Sequence, residues 1–254
     1  MENQPKMSLP TETVELPSKG LLYPLENPLS SGKIEMKYMT AREEDILSNQ
    51  NYIKQGIVFD KLFQSLIVSK INYDDLTLGD KNAILIAARI LGYGKDYQVK
   101  YPHPVTGEEE LITIDLAELK NKEVDYSLFK NINEFTFTLP QSKNEVIFKI
   151  LTHKDEKQIE TELKGLKKIN VSAEVTTRLK QAIVAINGSR EKKDIREFVD
   201  HYLLSSDAKS LREYMKKVSP DLNLTFTFVG SDGYTQEGVD LPIDVSFFYP
   251  TTGV

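Results

Sequence analysis

Cysteine is absent from the 254 residues, and that absence excludes disulfides, thiol catalysis, thiolate zinc sites and iron–sulfur ligation together. Histidine is scarce, with 3 in the chain, so no compact His-based metal centre is expected. No run of about 18 apolar residues occurs, and the N-terminus has no apolar stretch of signal-peptide length. These absences predict a protein without membrane insertion, made and kept in a cytoplasm.

What is present is ordinary for a folded chain. The 12 Tyr and 11 Phe, with 40% apolar and 28% charged residues, supply enough material for a core. The length fits one large domain or two small ones. Net charge is −6, unevenly spread: residues 154–217 carry 15 basic and 11 acidic side chains, and residues 218–254 carry 5 acidic and no basic ones. Lys and Glu interleave through KDEKQIETELKGLKK, as on a solvated helix face, so nucleic acid is not an expected partner.

Residues 1–32 contain five prolines and little apolar periodicity, which predicts an extended arm or an ordered wrap and not a helix. Leu21, Leu22, Tyr23 and Leu25 cluster within it and read as an element that docks on something apolar, either the chain's own domain or a partner. KIEMKYM (33–39) alternates as a strand, and Thr40 with Glu43 forms a capping box. A helix with one apolar stripe is expected at 58–69. NAILIAARIL (82–91) is apolar almost all round, with Asp80 as its expected N-cap and Gly92 and Gly94 as its stop. Strand pairs follow at 97–101 with 111–114, and at 135–139 with 146–151. Helices are read from Ile159 to Ile169, Val175 to Ile186, Ile195 to Leu203 and Leu211 to Val218, with Ser172, and Ser206 or Asp207, as caps. A last strand pair covers 224–229 and 239–248.

Runs of helices separated from hairpins, without βαβ alternation, predict an α+β fold. Two lobes are expected behind the arm (1–32), at 33–130 and 131–254. The arm then reads as separable, and its removal is expected to leave a folded body.

Catalytic signatures are missing. Gly92-Tyr93-Gly94-Lys95 follows a helix, whereas a phosphate-binding loop follows a strand and opens a helix. His103, His153 and His201 have no ligand spacing, and His103 sits in a proline-rich hairpin tip where a surface turn residue is expected. The acidic pairs at Glu43-Glu44-Asp45, Asp74-Asp75 and Glu108-Glu109-Glu110 read as solvated charge. No GxSxG element occurs. Neither hairpin tip, YPHPVTGE or VGSDGYTQ, offers the ligand pair of a zinc knuckle. No catalytic, cofactor-binding or metal-binding residue is therefore assigned.

LPSKGLLYP (Leu16 to Pro24), MTAREEDIL (Met39 to Leu47), LGDKNAILIAARILGYGKDY (Leu78 to Tyr97) and LPIDVSFFYP (Leu241 to Pro250) lie in order along the chain. Together they resemble the T4-type bacteriophage baseplate hub subunit and hub assembly family. The resemblance implies a non-enzymatic tail protein that acts in hub assembly, with other phage tail or baseplate hub proteins as partners, no small-molecule substrate and no cofactor. It places the chain in the host cytoplasm during assembly, or in the virion tail if it is retained as a structural component; a hydrolase is the remaining alternative. Leu21, Leu22, Tyr23, Phe247, Phe248 and Tyr249 are the candidate partner-binding residues, with packing on the chain's own body as the alternative role.

Overall fold

The computed structural model describes residues 9–243 and 245–248. The fold is α+β, with small antiparallel sheets and helices packed around two hydrophobic cores.

The first core is built from both ends of the chain. Strand β1 (Thr11–Glu15) lies in the expected arm and pairs antiparallel with β2 (Lys33–Lys37). Helices α1 (Ala41–Leu47), α2 (Gln50–Gln55), α3 (Val58–Leu66) and α4 (Leu78–Tyr93) follow. Next comes the hairpin β3 (Asp96–Pro102) and β4 (Glu109–Asp115). The capping box at Thr40 is present, and Glu43 does more than cap. Its buried carboxylate accepts from Thr40 N at 2.9 Å, Lys37 Nζ at 2.8 Å and Ser65 Oγ at 2.7 Å. Burial alone would raise its pKa, but the hydrogen bonds from Lys37, Thr40 and Ser65 outweigh it and hold the group at about 2.

The second core contains the three-stranded sheet β5 (Phe135–Thr138), β6 (Glu145–Phe148) and β7 (Ile183–Ile186). Around it stand α5 (His153–Lys168), α6 (Glu174–Ala182), α7 (Lys192–Glu197) with a π-helical turn at Phe198–Tyr202, and α8 (Ser205–Val218). The helix expected from Val175 to Ile186 stops at Ala182, and IVAI continues as β7. Four buried or half-buried residues in a row suit a strand at the sheet edge beside β6, covered by the packed helices, better than a helix stripe.

The lobe boundary at 131–254 needs correction. The last hairpin, β8 (Thr225–Val229) and β9 (Thr235–Asp240), packs in the first core through Phe226, Phe228 and Val239. Residues Val245–Phe248 form a 3-10 turn instead of extending the strand, and Phe247 and Phe248 join the same core. The second core is thus an insertion between two parts of the first.

The arm needs the larger correction, because it is a load of core residues and not a separable tail. Leu16, Tyr23 and Leu29 pack in the first core, while Leu22 packs in the second with Leu21 against it. Removal of residues 1–32 would strip β1 and apolar side chains from both cores, so the shortened chain is not expected to fold.

Three of the expected caps also shift. Thr77 precedes α4 and Asp80 lies inside its first turn, while Ala173 and Leu204 occupy the N-cap positions of α6 and α8. Asp207 instead accepts from Gln141 N at 2.7 Å and Ser142 N at 2.9 Å, pinning the β5–β6 turn.

The approach of α4 to the segment after α8 is close. A Cβ on Gly79 would lie 1.9 Å from the Pro220 carbonyl oxygen, whereas one on Gly165, inside α5, would meet open space. Gly79→Ala should therefore destabilise by about 1–3 kcal/mol through overpacking, and Gly165→Ala should stabilise by about 0.5–1 kcal/mol through helix propensity; urea unfolding of both variants checks the pair. Glu43 supplies a pH signature: its depressed pKa gives stability that is present above the ordinary 4.5 and lost as pH falls towards about 2. Glu43→Gln should flatten that acid limb by about 2 kcal/mol, read from denaturant midpoints across the acid range.

Candidate functional site

Two of the candidate partner-binding residues, Tyr23 and Phe247, meet helix α4, which carries a buried charge near each end. Asp80 is fully buried in the first turn. Its carboxylate accepts from Ser18 N at 3.0 Å, Ser18 Oγ at 2.8 Å and Tyr23 Oη at 2.5 Å. Burial pushes the Asp80 pKa up, and the hydrogen bonds from Tyr23 and Ser18 oppose that rise. The Tyr23 hydroxyl also accepts from Thr77 N at 3.2 Å, and burial together with the neighbouring Asp80 raises its pKa well above 10.0.

The arm turns sharply to reach this position. Gly20 and Gly32 both have positive φ, and a Cβ on Gly20 would lie 2.3 Å from the Ser30 carbonyl oxygen. Lys19 sits over the Tyr126 ring at 3.9 Å, and Tyr126 Oη donates to the Pro17 carbonyl at 2.8 Å. The segment is thereby tied to the strand-free stretch that leads into the second core.

At the other end of α4, Arg89 is 2% exposed. Its Nε donates to the Phe247 carbonyl at 2.8 Å and an Nη donates to the Gly94 carbonyl at 2.9 Å. No carboxylate neutralises it among the described residues; the rings of Tyr93, Tyr97 and Phe247 lie within 6.0 Å. Burial lowers its pKa from a starting value high enough that the guanidinium stays charged. Phe247 packs edge-on against Tyr97 at 4.8 Å, and Phe248 sits 5.6 Å from Phe59.

Leu22, Tyr23, Phe247 and Phe248 are therefore spent on the chain's own cores, and Leu21 is half-buried beside them. In this conformation those four side chains offer no surface to a partner. Tyr249 lies outside the described residues.

The three histidines go to three separate places. His103 is buried, which corrects the expectation of a surface turn residue. Its Nδ1 accepts from Val105 N and Thr106 N, each at 3.2 Å, and Nε2 lies 3.3 Å from Asp232 Oδ1 in the opposite hairpin tip. The two hairpin tips thus meet, with Ser231 N donating to Glu110 at 2.8 Å. His153 opens α5 and accepts from Lys81 Nζ at 2.9 Å through Nδ1. Lys81 also pairs with Asp60 at 3.0 Å, and Tyr73 donates to the same carboxylate at 2.9 Å. Burial, helped by the Lys81 ammonium, pushes the His153 pKa below 6.5 and keeps the ring neutral. This cluster joins α3 and α4 of the first core to α5 of the second. His201 stands beside Tyr202 on an exposed face.

Gly92 lies inside α4, where a Cβ would strike the Met39 sulfur at 2.4 Å, and Gly94 ends the helix at positive φ. Both serve helix packing and termination. A groove of about 710 Å³ runs between β4 and β8 and is lined by Asp115, Glu118 and Glu237 with apolar, hydroxyl and amide neighbours. Among the described residues, no group of three or more His, Cys, Asp or Glu side chains is placed to hold a metal ion. No described helix is long and apolar enough to cross a membrane.

Asp80 and Arg89 are the residues that sequence reasoning passed over as agents, although a signal was there: a charge inside a helix that is apolar all round must be met by buried partners. Both partners turn out to be the segments whose motifs resemble the baseplate hub proteins. A family model described as T4 bacteriophage base plate protein matches residues 11–248, from β1 through the Arg89-bound turn. The chain belongs to this family of phage baseplate proteins. No curated protein and no solved structure matches it.

Tyr23→Phe removes a donor from Asp80 and an acceptor from Thr77 without creating a cavity. It should cost about 1–3 kcal/mol in urea unfolding, the penalty of buried groups left unpaired.

Proposed function

We propose that this protein acts in assembly of the baseplate hub of a contractile-tailed phage, in the host cytoplasm, by binding other tail proteins and without catalysis. The observation that carries the reading is the family match over residues 11–248, which takes in both cores and both parts of the first. The residue chemistry supports it in kind. The buried groups Asp80, Glu43, His103, His153, Arg89, Asp155 and Asp207 are each engaged by backbone, hydroxyl or charged groups of the chain itself. Such groups hold a shape. An assembly protein works through shape and surface.

With the terminal apolar residues packed inside, partner contact falls to the outer faces. Val105, Leu111, Ile169 and Tyr202 are each more than 60% exposed and are distributed over both cores. Small exposed apolar positions of this kind, set among charge, suit contacts that form and release during assembly.

Infection with a phage lacking the gene, followed by imaging of lysates, tests the proposal. Absence of baseplates, with tail proteins accumulating unassembled, is the expected result; normal tails would overturn it. Mass spectrometry of purified virions separates the two modes of action. Absence from the particle supports an assembly factor, and stoichiometric recovery supports a hub component that stays.

A further inference from the structure

The net charge of the chain conceals two complementary surfaces. The β3–β4 tip, PVTGEEE (104–110), carries Glu108, Glu109 and Glu110 and no basic residue, with Val105 projecting at 72% exposure. It rests against the tip of β8–β9, where Asp232 adds a further exposed carboxylate, and no Lys or Arg occurs anywhere in 218–254. The outcome is an acidic knob with an apolar point.

The second core carries the opposite shape. A groove of about 440 Å³ opens between α5, β7 and α7. Val184, half-buried, with the largely covered Ile183 and Ile195, makes its apolar floor, and Lys149, Lys154, Lys180, Arg190, Lys192 and Arg196 line its walls. Its two acids are Asp155 and Glu162; Asp155 is buried and already held by Lys149 at 2.7 Å. Lys180 and Arg190 pair with Asp200 and Glu134. Lys154, Lys192 and Arg196 are exposed and form no ion pair among the described residues.

We propose that the basic groove of one molecule receives the acidic β3–β4 tip of a second copy. Val105 would meet the apolar floor, and Glu108 and Glu109 would meet Lys192, Arg196 and Lys154. The tip supplies carboxylates and one apolar side chain, the groove supplies cations and an apolar floor, and both lie on this chain. A nucleic acid would satisfy the walls but not the floor, and the groove is a pocket instead of a phosphate track. Because knob and groove are different surfaces, the contact is heterologous: each added copy presents another free knob and another free groove, so copies join head to tail into a ring or a filament.

Sedimentation of the purified chain tests this, using Lys192→Glu with Arg196→Glu in the groove and Glu108→Lys with Glu109→Lys at the tip. All four side chains are exposed, and circular dichroism checks that each double variant is folded. The wild type should self-associate with rising concentration and dissociate as salt is raised. Each double variant should associate about a hundredfold more weakly, because like charges then face each other. Mixing the two should restore association, since the unchanged tip of one meets the unchanged groove of the other. A wild type that stays monomeric, an oligomer indifferent to salt, or association untouched by either variant would overturn the proposal. So would a monomer that binds DNA or another tail protein through Lys192 and Arg196, which would give the groove a different occupant. Should a charge reversal fail to fold, the salt response of the wild type and Lys192→Ala with Arg196→Ala decide instead.

Discussion

Burying a carboxylate costs several kcal/mol unless donors surround it, and the position of Asp80 forces the chain to bring those donors from far away in sequence. Ser18 and Tyr23 meet it from the arm. Once they do, Leu16 and Leu29 fall into one core and Leu22 into the other. The arm therefore acts as a rivet between the two cores, with Asp80 as its seat. Arg89 repeats the arrangement about two and a half turns along the same helix, on the opposite face, where it holds the segment that carries Phe247 and Phe248. One helix thus sets the path of both outer parts of the chain.

A second junction runs beside the first. The Asp60, Tyr73, Lys81 and His153 cluster and the bond of Asn82 to Asp221 at 2.9 Å cross between cores through polar groups. Apolar contact between two cores tolerates sliding, whereas hydrogen bonds of fixed direction do not. The two cores are held in one register by directional bonds, with Gly79 allowing the backbones to approach closely enough to form them.

Local pattern was legible where it carried a period or a cap. The strands at 33–37, 96–102, 109–115, 135–138 and 145–148 follow from alternation and turn residues, and the Thr40 box follows from its spacing. The α+β class follows from their order. What failed was non-local. IVAI at 183–186 is equally apolar as helix or strand, and only the vacancy beside β6 decides for strand. The burial of His103 depends on a hairpin 129 positions away. Prolines argued against an α-helix in the arm, whose described part holds β1 and a 3-10 turn at Pro28–Ser31, but they said nothing of where the segment would lie, and that depended on a single aspartate at position 80. Of the candidate partner residues, the sequence showed apolar clusters without showing what would cover them.

The return of the last hairpin to the first core has a consequence for synthesis. Phe226, Phe228, Phe247 and Phe248 complete a core whose other side is made by residues 16–116. On the ribosome, the inserted second core can gather its own sheet and helices first, while the earlier-made part waits with an open apolar face and an unsatisfied Arg89. The first core closes only after residue 248 has emerged. A chain broken off before that point keeps that apolar face open to chaperones and proteases.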